Sequence, residues 1–161
     1  MDEKYLAGIF DGEGSTGIYC QGESFHFCLT ISQSGFTEPK ILTDIHNQYG
    51  GHISKNTNTV RSKIKSRKPS WVLSLSRGDE AIKILNDIYP HLKIKNREAK
   101  LVIDFIELCK EQRKEKPINK AYPNRLRRSQ IEHRAHLYIE FLKVRESQFG
   151  GVLSNRDAEY E

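Results

Sequence analysis

The sequence lacks long apolar runs, a cysteine framework and a recognisable leader segment, and each absence excludes a class of protein. No apolar run approaches the length that spans a bilayer, so we expect a soluble protein without a membrane partner. The three cysteines form no CxxC pair and no Cys/His metal spacing, and an odd count argues against a disulfide framework. We interpret Cys20, Cys28 and Cys109 as buried thiols in a reducing compartment. Residues 1–5 carry no targeting signal, which favours an intracellular protein.

Two further absences narrow the choice of function. Neither a glycine-rich phosphate loop nor a Ser/His/Asp order stands out, so nucleotide hydrolysis, acyl transfer and a small-molecule cofactor have little support. The first 88 residues have no second copy later in the chain. Any function that needs two equivalent halves would therefore need a second chain.

The composition is that of a globular protein with a polyanionic partner. The chain has 161 residues, of which 37% are hydrophobic and 29% charged, and its net charge is +5. This length fits one domain, which we place at residues 1–150. Residues 151–161 follow two glycines and show no periodicity, so we expect a loosely ordered tail. The positive charge favours a nucleic acid among possible partners.

Periodicity along the chain predicts an α+β protein. A helix over residues 1–13, closed by a C′ glycine at Gly14, precedes a hairpin in which Phe25 and Leu29 alternate with polar residues. Thr37 is expected to cap a second helix, a second hairpin spans residues 52–76, and Asp79 begins a third helix. The predicted order is αββαββα, followed by helices at residues 96–114 and 129–145.

Residues 6–14, Leu-Ala-Gly-Ile-Phe-Asp-Gly-Glu-Gly, closely resemble the nine-residue LAGLIDADG motif of homing endonucleases. The motif matches at its leading three residues, at Asp11, at the acidic eighth place and at Gly14. The resemblance implies a saddle-shaped antiparallel sheet with helices on one face. It also implies a site-specific endonuclease that hydrolyses double-stranded DNA at a long pseudo-palindromic target, as in intron homing. With a single motif, it implies a homodimer.

Physical chemistry of the motif agrees with these expectations. Gly8 and Gly12 lie four residues apart and so on one helix face, at a cost of about 1 kcal/mol each relative to alanine. That cost is offset if another helix approaches closely. Glu13 ends the helix, where a carboxylate faces the negative pole of the macrodipole. A divalent cation reverses the sign of that interaction, because carboxylate and carbonyl oxygens are ligands suited to Mg²⁺.

The resemblance assigns further residues to the site. Glu13 and the carbonyl of Gly12 are the expected ligands of Mg²⁺, and Mn²⁺ or Ca²⁺ can occupy the same place. Lys95 and Gln33 match the outer catalytic residues, with lysine stabilising charge on the phosphate and glutamine orienting the attacking water. By spacing alone, either would be an ordinary surface residue. The expected dimer interface consists of Leu6, Gly8, Asp11 and Gly12.

Two segments are candidates for DNA contact. The polar sides of the first hairpin project away from the predicted core and suit the major groove; these are Tyr19, Gln21, Ser24, His26, Cys28, Thr30 and Ser32. A basic cluster that suits phosphate contacts lies in the second hairpin and contains Arg61, Lys63, Lys65 and Arg67. A solvated sheet face and a basic loop without a partner would show the same patterns.

Two other functions remain open from the sequence. A non-cleaving binder of the same fold, either an RNA maturase or a repressor, would keep the basic sheet. A protein-interaction module would not explain the basic hairpin. Glu13 favours the nuclease, because a binder has no physical reason to keep an acid at a helix C-terminus.

Overall fold

A computed structural model describes residues 1–22, 24–56, 69–115 and 126–149. Its elements are α1 (Glu3–Glu13), β1 (Gly14–Gln21), β2 (Ser24–Ser34), α2 (Lys40–Tyr49), β3 (His52–Asn56), β4 (Ser70–Ser74), α3 (Gly78–Ile88), a 3₁₀ turn (Tyr89–His91), α4 (Asn96–Lys114) and α5 (Arg128–Phe149). The predicted α+β class and αββαββα order are confirmed. The basic cluster at residues 61–67 and the tail at 151–161 lie outside the described residues.

The chain divides into two compact units, which we describe separately. The first comprises residues 1–16 and 28–95, and the second comprises residues 17–27 and 96–161. In the first unit α1 packs against α3 and the 3₁₀ turn, and α2 packs against α3, β3 and β4. Its core is formed by fully buried side chains from these elements, among them Leu6, Phe10, Leu42, Ile45, Leu73 and Leu85.

The four strands form one sheet in the order β1-β2-β4-β3. Strand β4 lies between β2 and β3 and is antiparallel to both, with Leu73 opposite Ile31 on one side and Ile53 on the other. Because side chains alternate between the two faces of a strand, the register assigns whole rows to one face. Ile31 and Leu73 are fully buried, so their face is the one that covers the core.

The ends of α1 and α2 correct two predictions about capping. Gly14 is extended, at φ −79° and ψ 154°, and begins β1, so it is not the left-handed C′ residue that was expected. Helix α2 begins at Lys40 with Pro39 as its N-cap and no side-chain cap. The prediction that Thr37 caps this helix is therefore wrong. Proline disfavours the helical conformation of the residue before it, which keeps Glu38 out of the helix.

Helices α2 and α3 are joined by polar contacts at the end of α2. The Tyr49 hydroxyl donates a hydrogen bond to Asp87 Oδ2 at 2.9 Å, and Lys83 Nζ donates to the Gln48 carbonyl at 2.9 Å. Burial, together with the hydrogen bond to Asp87, raises the pKa of Tyr49 to about 12. The hydroxyl therefore stays protonated and keeps donating throughout the physiological range.

The second unit is built on α4 and α5. Buried Gln112 of α4 donates to the Gln130 carbonyl and accepts a hydrogen bond from Arg134 Nε at 2.7 Å, which joins the two helices. Phe25 and Tyr138 pack with their ring centroids 5.6 Å apart. Among the described residues, no helix is both long and apolar enough to cross a membrane.

The cysteines are less buried than expected. Among the described residues, Cys20, Cys28 and Cys109 form no disulfide, and all three are half-buried, which is less than the predicted burial. Two of them lie on the first hairpin, where each strand has one exposed face. Burial raises the pKa of the Cys109 thiol, which keeps it protonated and poorly nucleophilic.

Candidate functional site

The C-terminal end of α1 carries two carboxylates, Asp11 and Glu13, and has no basic residue in its own last turn. Glu13 is exposed, and among the described residues none makes a hydrogen bond or ion pair with its carboxylate. Because helix carbonyls at this end carry partial negative charge, a free carboxylate here is unfavourable unless a cation neutralises it. The exposed Glu13 carboxylate is therefore the strongest candidate for a cation ligand in this unit.

Lys95 supplies a positive charge to the end of α1, which has no basic residue in its own last turn. In the sequence, Lys95 comes 84 positions after Asp11. Lys95 Nζ donates to three main-chain carbonyls, those of Phe10 at 3.0 Å, Asp11 at 2.7 Å and Gly14 at 2.7 Å. An ammonium group has three N–H donors, and these three carbonyls match that number. The carbonyl of Gly12 is not among them.

Asp11 makes the reciprocal contact with the segment that contains Lys95. Its carboxylate accepts hydrogen bonds from the backbone N–H groups of Lys93 at 2.8 Å, Ile94 at 3.3 Å and Lys95 at 3.0 Å. Consecutive backbone N–H groups of this kind form a concave site for an anion. The prediction placed Asp11 at a dimer interface, but the partners of its carboxylate in the structure belong to its own chain.

The three glycines of the motif have two different surroundings. A Cβ added at Gly14 would lie 2.4 Å from the Phe10 ring, so this position has to be glycine for close packing within the chain. A Cβ at Gly8 or Gly12 would meet nothing within 4 Å, and both residues are exposed. Packing within the described part of the chain therefore gives no reason for either glycine.

One of the predicted interface residues does not lie on the exposed face of α1. Leu6 is 0% exposed and packs into the core of its own chain, because it lies on the opposite side of the helix from Gly8 and Gly12. It has no surface to offer a second chain. Tyr5, which is 59% exposed, and half-buried Ile9 lie beside the two glycines on the exposed face of the helix.

Gln33 lies on the core side of the sheet. It is paired with Trp71, which is paired in turn with Lys55, and this row shares a face with Ile31 and Leu73. Trp71 Nε1 donates to the Gly35 carbonyl at 3.0 Å, and Lys55 Nζ lies 5.5 Å from the Trp71 ring centroid. Within the described ranges, no hydrogen bond joins Gln33 to Glu13 or Lys95.

The opposite face of the sheet in the first unit is almost entirely polar. The register places nine side chains on this polar face in three rows, which are Thr30, Ser74 and His52; Ser32, Val72 and Ser54; and Ser34, Ser70 and Asn56. None of the nine carries a carboxylate, an ammonium or a guanidinium group, and Val72 is the one apolar member. Thr30 and Ser32 were among the predicted DNA contacts, whereas Ser34 and the members from β3 and β4 were not.

The predicted polar residues of the second unit are also outside its core. Tyr19, Gln21, Ser24 and His26 are exposed, while Ile18 and Phe25 between them are buried. The rings of Tyr19 and His26 stack, with centroids 5.4 Å apart and planes inclined by 28°. Flat, exposed rings with hydrogen-bonding atoms suit contact with bases or sugars, but they suit other polar partners as well.

Solved structures of homing endonucleases are similar to this chain in fold. No family model and no curated protein matches the sequence. The archaeal intron-encoded homing endonuclease I-Vdi141I, complexed with DNA, matches with a TM-score of 0.69 at 15% identity, over 98% of this chain and 91% of that chain. The LAGLIDADG meganuclease I-CpaMI, bound to uncleaved DNA, matches with a TM-score of 0.64 at 16% identity, over 99% of this chain and 48% of that chain.

The chain has the LAGLIDADG homing-endonuclease fold. A further match is the homing endonuclease I-CvuI with bound target in the presence of 2 mM Mg, its DNA not cleaved, at a TM-score of 0.63 and 20% identity, over 98% of this chain and 90% of that chain. This chain thus spans most of I-Vdi141I and I-CvuI but only about half of I-CpaMI. In the LAGLIDADG fold seen here, the motif forms the larger part of α1 and the first residue of β1.

Proposed function

We propose that this protein is a site-specific endonuclease that cuts double-stranded DNA as a homodimer with a divalent metal. The proposal rests on the end of α1. Glu13 is exposed there and has no partner among the described residues, and Gly8 and Gly12 leave space on the adjoining helix face. A metal ligand and a close helix contact explain the acid and the glycines together. The LAGLIDADG fold supports the same function.

The donor groups at this site fit Mg²⁺. Carboxylate and carbonyl oxygens are hard ligands, and we assign the Glu13 carboxylate and the Gly12 carbonyl to the metal. In the part of the chain that the structure describes, no group of three or more His, Cys, Asp and Glu side chains is placed to hold a metal ion. One chain therefore offers an incomplete site, which a second chain and the DNA phosphates would complete. Bound Mg²⁺ would supply an activated water and stabilise charge on the phosphate.

The number of motifs and the surface of α1 both support a homodimer. Double-strand cleavage needs two hydrolytic centres, and this chain contains one motif. A two-fold axis beside Gly8 and Gly12 would bring together two identical helix faces and both Glu13 carboxylates. The match to about half of I-CpaMI supports this assignment, because one copy of this chain corresponds to half of that longer nuclease.

DNA contact is assigned to the polar sides of the strands and to the basic cluster. The polar face of the first unit and the exposed side of Tyr19, Gln21, Ser24 and His26 offer donors and acceptors that can distinguish base pairs. The cluster at residues 61–67 would neutralise phosphates. Gln33 remains our candidate for orienting water, although in the structure its neighbours are Trp71 and the core side of the sheet.

The direct test is to incubate the protein with a randomised DNA library and Mg²⁺ and to sequence the ends that form. We expect ends at one sequence motif with two-fold symmetry, because two identical subunits contact the two half-sites. Bound but uncut sequences would support the maturase or repressor instead. Absence of both cutting and binding would contradict a function on DNA, and binding to RNA would then test the maturase.

A further inference from the structure

We propose that Asp11 and Lys95 act together as positioning residues that fix the end of α1, and that Lys95 does not contact the phosphate. This inference rests on the proposed nuclease function and refines it. The resemblance to homing endonucleases assigned Lys95 to the phosphate. In the structure its ammonium instead binds the carbonyls of Phe10, Asp11 and Gly14.

The two residues hold the same stretch of chain from both directions. Lys95 binds carbonyls on either side of Gly12 and Glu13, and the Asp11 carboxylate holds the backbone of residues 93–95. Gly12 lowers helix stability at this point, so the end of α1 would otherwise fray. Fixing its neighbours restricts where the Gly12 carbonyl and the Glu13 side chain can lie. Groups that orient a ligand in this way tune its affinity for metal.

The chemistry of the lysine provides a sharp test. One nitrogen with three N–H donors can bind three converging carbonyls, whereas the planar, forked guanidinium of arginine cannot reproduce that geometry. Lys95→Arg keeps the positive charge and should fail to replace lysine if positioning is its role. A phosphate contact would tolerate arginine, because guanidinium binds phosphate well. Lys93→Met is the matched control, since Lys93 is exposed and takes part only through its backbone N–H.

The first measurement needs neither metal nor DNA. Amide hydrogen exchange should speed up by about tenfold or more in residues 10–14 of Lys95→Met and Lys95→Arg, and should stay at the wild-type rate in Lys93→Met. Protection of Ile84 and Leu85 in α3 reports whether the fold is intact. If Lys95→Met unfolds, Asp11→Asn takes its place, because it weakens the same contacts and keeps the lysine. Unchanged exchange at residues 10–14 would overturn the proposal, even for a chain that cuts no DNA.

The second measurement separates positioning from catalysis. In single-turnover cleavage, Lys95→Met and Lys95→Arg should raise the half-saturating Mg²⁺ concentration by about 10-fold to 100-fold, with most of the rate recovered at saturating metal. A lysine that contacts the phosphate would lower the rate at saturating metal and leave the half-saturation unchanged. That second result, or full activity of Lys95→Arg, would overturn the proposal while leaving the nuclease function standing.

A separate observation concerns Val72, and we infer that it contacts a thymine methyl group. Val72 lies at the centre of the polar face, between Ser32 and Ser54, and is half-buried. Its eight companions on that face are polar. In the major groove the base edges present donors and acceptors, and the one apolar feature is the C5-methyl of thymine. An apolar side chain at the centre of this face would therefore favour thymine at one position of each half-site.

The test replaces single thymines of the selected target by deoxyuridine, which removes only the methyl group. At one symmetric pair of positions, wild-type affinity should fall about fourfold per methyl contact. In Val72→Ala the same replacement should change affinity by less than about twofold, while Asn86→Ala, at an exposed position of α3, should respond as the wild type does. Equal responses of wild type and Val72→Ala at every thymine would overturn this inference, and a wild type that binds no DNA would overturn the proposed function as well.

Discussion

Glu13→Gln should abolish strand cleavage and leave DNA affinity within about twofold of the wild type. The substitution removes one negative charge at nearly constant shape, from a carboxylate that has no protein partner among the described residues. A divalent metal contributes several kcal/mol to stabilising the transition state, so its loss should lower the cleavage rate by about 10³-fold or more. Single-turnover cleavage and filter binding on the same target measure the two effects.

Two control variants test whether the loss of cleavage is due to the missing charge at Glu13. Glu13→Asp keeps the charge and should retain measurable metal-dependent cleavage, because a carboxylate is still present at the same place. Glu107→Gln removes a charge from an exposed position of α4 and should cut at the wild-type rate. Mg²⁺-dependent cleavage by Glu13→Gln at the wild-type rate would show that the metal is held elsewhere.

Local pattern was sufficient for much of the fold. The apolar spacing that includes Ala99, Val102 and Ile106 predicted α4 at residues 96–114, which are the bounds it has in the structure. Alternation predicted the buried side of the first hairpin, where Phe25 and Leu29 are indeed in the core. These features depend on neighbouring residues in the sequence, so periodicity alone can find them.

Local pattern could not predict features that depend on close packing or on contacts between distant segments of the chain. Gly14 looked like a helix-ending glycine, but it is glycine because the Phe10 ring leaves no room for a Cβ. Lys95 binds carbonyls of Phe10 and Gly14, more than 80 positions away in the sequence, and no local pattern indicates these contacts. The pairing of β2 with β4 likewise brings Ser70 and Ser74 onto the polar face. Periodicity gives the side of a strand but not its neighbours.

These contacts also change how the motif itself is understood. Its acids have separate roles: Asp11 is satisfied by backbone N–H groups of its own chain, and Glu13 is left available for a cation. Its glycines divide in the same way, since Gly14 serves packing within the chain and Gly8 and Gly12 do not. The residues without a role inside the described part of the chain, Gly8, Gly12 and Glu13, are therefore the ones to test for roles in assembly and catalysis.

Gly8→Leu should separate the subunits. Gly8→Ala should show whether the cause is a close helix contact between them. Within one chain a Cβ at Gly8 meets nothing within 4 Å, so Gly8→Ala should stabilise an isolated monomer by about 1 kcal/mol through helix propensity. At a close helix contact the same methyl group is unfavourable. Overpacking costs about 1–3 kcal/mol, and a two-fold axis presents the change twice, so Gly8→Leu should raise the dimer dissociation constant by about 100-fold or more.

Sedimentation equilibrium, with and without DNA, measures the dissociation constant, and thermal unfolding at several protein concentrations measures stability. Asn86→Leu is the control, because it adds the same apolar side chain to an exposed position on another helix, α3. We expect Asn86→Leu to stay dimeric, Gly8→Leu to be monomeric at low micromolar concentration, and Gly8→Ala to dimerise more weakly although its monomer is more stable. The opposite signs of the two Gly8→Ala effects distinguish a subunit interface from a helix that merely tolerates glycine. A wild type that sediments as a monomer even on DNA would contradict the symmetric nuclease, and the two glycines would then need another explanation.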